Sequence, residues 1–147
     1  MSAGKQVEAR DTEDFRVVAG MVERARAAQA VAATWDQARV DEVCLAVGWA
    51  VYKDENIQVM ARAAVDETGM GVYEDKLTKH KNKVLGVLRD IRTAKTVGLI
   101  DYDEAKGLMK FAKPVGVIGA LAPVTNPTAT PSSNGLSILK GRNAVIF

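Results

Sequence analysis

The sequence predicts an α/β fold: amino-terminal helices, then a β-hairpin, then one βαβ unit of an incomplete sheet. Three observations carry this. Apolar side chains recur at helical spacing through the first ninety or so residues. Near Thr93–Thr96 that periodicity gives way to Gly-rich and β-rich sequence. Val115–Leu121 is then an almost unbroken apolar run, the mark of a parallel strand covered on both faces, and a second such run occupies Ala144–Phe147. The chain stops inside that second run, so the expected sheet is only its first unit.

Each element follows from local chemistry. Residues 1–14 are polar and are expected to be a flexible tail. Asp11 or Thr12 can cap a first helix whose apolar positions are Val17, Val18, Met21, Val22, Ala25 and Ala28. Thr34 with Gln37 forms a capping-box pattern. It opens a second helix with Val40, Val43, Cys44, Val47 and Val51 on one face. Asn56 can cap a third, with Ile57, Met60, Ala61, Ala64 and Val65 inward, and Thr68-Gly69 ends it. The fourth, about Val72–Ile91, carries Tyr73, Leu77, His80, Val84, Val87 and Ile91 in one stripe. Thr96–Tyr102 and Gly107–Lys113 then read as a hairpin around Asp103–Gly107. After the strand Val115–Leu121 comes an irregular loop, Pro123–Pro127. A helix is expected from about Thr128 to Lys140, with Pro131 tolerated in its first turn. Gly141-Arg142-Asn143 is a turn into the last strand.

Composition narrows the function classes. The chain has 147 residues, enough for one domain, and 48% are apolar, which favours folding over disorder. Charged residues make up 26% with a net charge of +2, too balanced for nucleic acid or an anionic membrane surface as the main partner. No apolar run approaches the roughly 20 residues of a membrane span, and the first stretch lacks the apolar core of a secretory signal. One cysteine permits no internal disulfide and fits a reducing, cytoplasmic setting.

Few residues suggest chemistry. Cys44 lies on the apolar stripe of the second helix, where a small buried hydrophobe is the ordinary role. A nucleophile there would need a base and access to substrate. His80 is the only histidine and has no second ligand at helical spacing, so a structural or interfacial role is expected, and no metal site. Asp66-Glu67 and Glu74-Asp75 are adjacent in sequence and do not face each other on a helix. Ser132-Ser133 lacks a nucleophile elbow. Gly116-x-x-Gly119 lies inside the strand and is not a dinucleotide fingerprint. The loop Pro123-Val124-Thr125-Asn126-Pro127 differs from these. It follows a parallel strand and precedes a helix, where ligands of open α/β sheets bind. An Asn126 amide there can donate to a developing oxyanion. Asn126-Pro127 reads equally well as a turn and helix start, and both readings stand on local sequence.

Five segments together resemble the CoA-acylating branch of the aldehyde dehydrogenase superfamily. They are Asp66-Glu-Thr-Gly-Met-Gly-Val-Tyr-Glu-Asp-Lys76, Lys95-Thr-Val-Gly-Leu-Ile100, Ala112-Lys-Pro-Val-Gly-Val-Ile118, Pro123-Val-Thr-Asn-Pro127 and Gly141-Arg-Asn-Ala-Val-Ile-Phe147. Their order and spacing fit from about Val17 onward. The resemblance implies that residues 15–147 are the amino-terminal part of an NAD(P)-binding, aldehyde-dehydrogenase-like Rossmann-type domain. It implies that the hairpin over 96–113 belongs to an oligomerisation element. Asn126 would be the oxyanion-hole amide, and Pro123, Val124, Thr125 and Asn126 would border the nicotinamide of NAD or NADP. The family's nucleophilic cysteine falls beyond the matched segments, and Cys44 does not match it. The implied reaction converts a short aldehyde, acetaldehyde or sulfoacetaldehyde, with CoA and NAD(P)⁺ to acyl-CoA and NAD(P)H. The chain as given is then an inactive fragment of a homo-oligomeric enzyme. Two other readings compete: a non-catalytic nucleotide-binding or assembly module, and a plain helical interaction domain.

Overall fold

The computed structural model describes residues 12–147. Most of the expected tail, and Asp11 as a cap, lie outside the described residues. Among the described residues, five helices, a hairpin and a two-stranded parallel sheet follow in the expected order.

Helix α1 spans Glu13–Ala33, and the Thr12 hydroxyl caps it by accepting from the Phe15 N–H at 3.2 Å. Glu13 and Asp14 fill its first turn, where negative charge suits the dipole. The expected apolar stripe is largely not buried: Val17, Val18, Met21 and Ala28 are exposed. The packed part is Val22, Ala25, Gln29 and Ala32. The reason is length. A 21-residue helix runs about 31 Å at 1.5 Å per residue, whereas the strands it lies on have three residues each.

Helix α2 spans Gln37–Tyr52. Asp36, not Thr34, is its cap, accepting from the Arg39 N–H at 2.8 Å. Thr34 instead closes α1, its hydroxyl donating to Val31 O. The buried face is Val40, Cys44 and Gly48, while Val47 is exposed rather than inward. Gly48 lets α2 and α4 approach closely: a Cβ there would come within 2.5 Å of Leu88 Cδ2 and force the Leu88 side chain to move.

Helix α3 spans Asp54–Thr68 and buries Ile57, Ala61 and Ala64. Asn56 does not cap it; its amide donates to Ala50 O. Gly69 ends the helix at φ 63°, its N–H donating to Val65 O at 2.8 Å. Helix α4 spans Tyr73–Ile91. His80 and Val84 are buried, and Tyr73, Leu77, Val87 and Ile91 are half-buried, as the stripe requires. Helix α5 spans Ala129–Lys140 and buries Ala129 and Leu136. Helix α4 packs against α2, α3 and α5, so the core gathers around it.

Strands β1, Gly98–Asp103, and β2, Leu108–Ala112, pair antiparallel from Gly98 opposite Ala112 to Asp103 opposite Leu108. Lys110 bridges to Asp101 across the pair, and Lys106 to Asp103 at its tip. Leu99, Tyr102, Met109 and Phe111 are exposed, so this hairpin projects with little cover on either face.

Strands β3, Val117–Gly119, and β4, Ala144–Ile146, are parallel, with Val117 opposite Ala144 and Gly119 opposite Ile146. The intervening α5 makes this a βαβ unit. The strand expected over Val115–Leu121 is shorter than its apolar run. Val115 and Leu121 are 86% and 96% exposed. Gly116 at φ 126° breaks the extension at one end, and β4 offers only three partners before Ala120 N–H closes the ladder on Ile146 O. Among the described residues no helix is long and apolar enough to cross a membrane.

The turn between α5 and β4 does more than reverse the chain. Asn143 Oδ1 accepts from Val115 N–H at 2.6 Å and Gly116 N–H at 2.9 Å, while its Nδ2 donates to Ile138 O. Arg142 is buried at φ 59°; its Nη1 donates to Ala33 O at 2.8 Å and its Nη2 to Ala112 O at 3.3 Å. Removing the Asn143 acceptor orphans the part-buried Gly116 donor. Asn143→Ala should therefore lower the unfolding free energy by about 1–3 kcal/mol in urea titration. A loss below about 0.5 kcal/mol, the size of an ordinary surface change, would show that these bonds do not hold the entry to β3.

Candidate functional site around Asn126

The loop after β3 leaves the carboxyl end of a parallel strand and enters α5, the position expected of a ligand-binding loop. Its backbone is tied at both sides of Asn126. The Asn126 N–H donates to Pro123 O at 3.0 Å, and the Asn126 carbonyl accepts from Thr130 N–H at 3.3 Å. Lys76, one turn into α4, donates from Nζ to Thr125 O at 2.9 Å. The side-chain amide is far less committed. Its one bond among the described residues is a long 3.4 Å contact from Nδ2 to Thr125 Oγ1. Asn126 is half-buried, and Pro123, Val124 and Thr125 are exposed. A fixed backbone thus presents an amide donor with spare capacity beside the start of a helix, whose dipole favours negative charge.

The other polar candidates lie elsewhere. Cys44 is buried within α2. Burial pushes its thiol above the usual range, the Lys140 charge opposes this, and Asp41 reinforces it. A thiol so placed packs as a core side chain. His80 is buried on α4, and its Nε2 stands 3.1 Å from Val51 O. Burial lowers its pKa while the Val51 bond opposes that, and since the Val51 carbonyl can only accept, Nε2 carries a proton. Its Nδ1 has no partner among the described residues. Asp66, Glu67, Glu74 and Asp75 are exposed. Ser132 donates back to Thr128 O, and Ser133 Oγ is buried without a partner among the described residues. No group of three or more His, Cys, Asp or Glu side chains placed to hold a metal occurs among the described residues.

Two sets of residues escaped sequence reasoning. Lys76 ends the Asp66–Lys76 segment, and nothing local signals its reach across 49 positions to Thr125. The second is a network in the core. Lys140 Nζ pairs with Asp41 Oδ1, Gln37 Nε2 donates to the same oxygen at 2.8 Å, and Gln37 Oε1 accepts from Thr96 N–H at 2.8 Å. The Lys140 side chain is 4% exposed and that of Asp41 42%. Burial opposes ionisation of Asp41, but the Lys140 and Gln37 hydrogen bonds and the Lys140 charge outweigh it and hold the carboxyl below its ordinary pKa.

No protein-family model matches the chain. It is 60% identical over 131 residues to a sulfoacetaldehyde dehydrogenase of an Acholeplasma species, covering 89% of this chain and 27% of that protein. It is 54% identical over 133 residues to the acylating sulfoacetaldehyde dehydrogenase of Bilophila wadsworthia, covering 90% and 29%. The crystal structure of an acetylating aldehyde dehydrogenase from Geobacillus thermoglucosidasius superposes with a TM-score of 0.85 at 35% identity, over 90% of this chain and 29% of that one. The chain thus spans under a third of the length of the curated relatives it matches. By sequence and by fold alike, it is similar to one segment of the acylating aldehyde dehydrogenases.

Proposed function

We propose that this chain contributes the oxyanion-stabilising loop and part of the NAD(P)-binding domain, over residues 15–147, of a CoA-acylating aldehyde dehydrogenase. The observation that carries the reading is Asn126: a side-chain amide with spare donor capacity, on a backbone pinned on both sides, at the carboxyl end of a parallel strand. The nucleophilic thiol comes from another part of the polypeptide, since Cys44 is sealed in the core. Attack of that thiol on an aldehyde carbonyl places negative charge on the carbonyl oxygen, and the Asn126 Nδ2 donor stabilises it. Exposed Pro123 and Val124 offer an apolar edge beside Asn126, which fits a planar nicotinamide ring. NAD or NADP, when bound, supplies the hydride acceptor. CoA then takes the acyl group from the enzyme thioester.

The substrate is a short aldehyde, sulfoacetaldehyde or acetaldehyde. What supports this is the similarity to sulfoacetaldehyde dehydrogenases, together with the acetylating structural neighbour. The projecting hairpin, with Leu99, Tyr102, Met109 and Phe111 uncovered, suits an oligomerisation element in a cytoplasmic homo-oligomer.

In the enzyme that contains this segment, Asn126→Ala should lower kcat for acyl-CoA formation by about 10²–10³ with the fold intact. Activity within about threefold of the parent would reject the oxyanion role. Cys44→Ser should retain activity and cost about 1–3 kcal/mol of stability, because a hydroxyl replaces the thiol in an apolar core. A folded but wholly inactive Cys44→Ser enzyme would return the nucleophile to Cys44.

A further inference from the structure

The peptide between Thr125 and Asn126 is held from both edges. Its N–H donates to Pro123 O at 3.0 Å, and its C=O accepts from Lys76 Nζ at 2.9 Å. The Pro123 bond is local and closes a turn within the loop. The Lys76 bond is the one that ties this peptide to a different element, the first turn of α4. Its origin is fixed in turn by the core, because α4 is seated by buried His80 and Val84.

The Lys76 stem has a prepared bed. It lies against Gly71, in the turn between α3 and α4. Gly71 sits at φ 81°, and a Cβ there would come within 2.9 Å of Lys76 Cε. A side chain at position 71 would therefore displace the stem, besides straining the backbone. The ammonium is exposed, so the bond to Thr125 O adds little to global stability. Its effect is on direction. The plane of the Thr125–Asn126 peptide fixes where the Asn126 Cα–Cβ bond points, and a misdirected amide misses the oxyanion.

We propose that Lys76 is a positioning residue for Asn126, clamping the Thr125 carbonyl so that the Asn126 amide is preorganised toward the reacting oxygen. This rests on the oxyanion reading of Asn126. Lys76 acts through the loop backbone and need not touch substrate.

The test is steady-state kinetics of the enzyme that contains this segment, with Lys76→Met, Lys76→Arg, Asn126→Ala and the Lys76→Met/Asn126→Ala double variant. Lys76→Met should lower kcat by about tenfold, less than loss of the amide itself, with KM for aldehyde and CoA within about twofold and an unchanged melting temperature. Lys76→Arg, which retains a donor, should recover part of the loss. In the Asn126→Ala background Lys76→Met should cost less than about twofold more, because the group it positions is gone. Lys76→Gln gives a second reading if the Met variant is insoluble. An impaired Asn126→Ala beside a Lys76→Met enzyme within twofold of the parent overturns this proposal alone. So do penalties that multiply in the double variant. An Asn126→Ala enzyme near parental activity removes the oxyanion reading, and this proposal with it.

Discussion

The short turn Gly141-Arg142-Asn143 is the constraint on which the α/β half of this chain depends. Three segments remote in sequence meet there. Arg142 reaches the carbonyl at the end of α1 and the carbonyl at the end of β2, while Asn143 receives the two N–H groups that lead into β3. Gln29 of α1 adds a bond to the Arg142 carbonyl. Arg142 holds a left-handed conformation, which costs a non-glycine residue about 1–3 kcal/mol. The charge-assisted bonds to Ala33 O and Ala112 O offset that strain, and the first of them places a cation at a helix C-terminus. Gly141 is small because Asn143 Nδ2 would lie 2.6 Å from any Cβ there. A two-stranded sheet with three-residue strands has few ladder bonds of its own, so these side-chain bonds set its register as much as the strands do.

The helical half is anchored differently. Here α4 is the common partner of α2, α3 and α5, and small residues let the helices approach. The Asp41–Lys140–Gln37–Thr96 network then fixes α5 and the entry to the hairpin relative to α2. An ion pair with one buried and one solvent-facing partner adds modest net stability, since desolvation of Lys140 offsets part of the attraction. Its geometric demand is strict, however, and it sets where the end of α5 lies. The start of α5 is set by the loop that carries Asn126. The Lys76 bond to Thr125 O links that loop to α4 and so to the helical core.

Much of this was legible in sequence where the signal is local. The α4 stripe, the Gly69 stop, the hairpin turn, Pro131 inside the first turn of α5 and the two parallel strands all follow from spacing and turn chemistry. Caps were less legible. Thr34 and Asp36 are both good capping residues two positions apart, and the structure uses one to end α1 and the other to begin α2. The extent of burial was least legible. Periodicity says which residues share a face, but Val17, Val18 and Met21 share a face that nothing described here covers. Val115 and Leu121 flank a strand limited by its partner's length, which no window of sequence contains. The Lys76, Arg142 and Lys140 contacts span 49, 109 and 99 positions, and no local pattern encodes them. The position of Asn126 after a parallel strand was legible; the Lys76 bond to Thr125 O beside it was not.

In the proposed mechanism Asn126 faces the oxygen on which charge develops. The most direct measurement is a crystal structure of the enzyme containing this segment, trapped as the covalent adduct of its nucleophilic thiol with an aldehyde or acyl substrate. The adduct oxygen should lie about 2.7–3.1 Å from Asn126 Nδ2, the span of a working oxyanion donor. An adduct oxygen beyond hydrogen-bond reach of that amide, or an adduct carried by Cys44, would contradict the account.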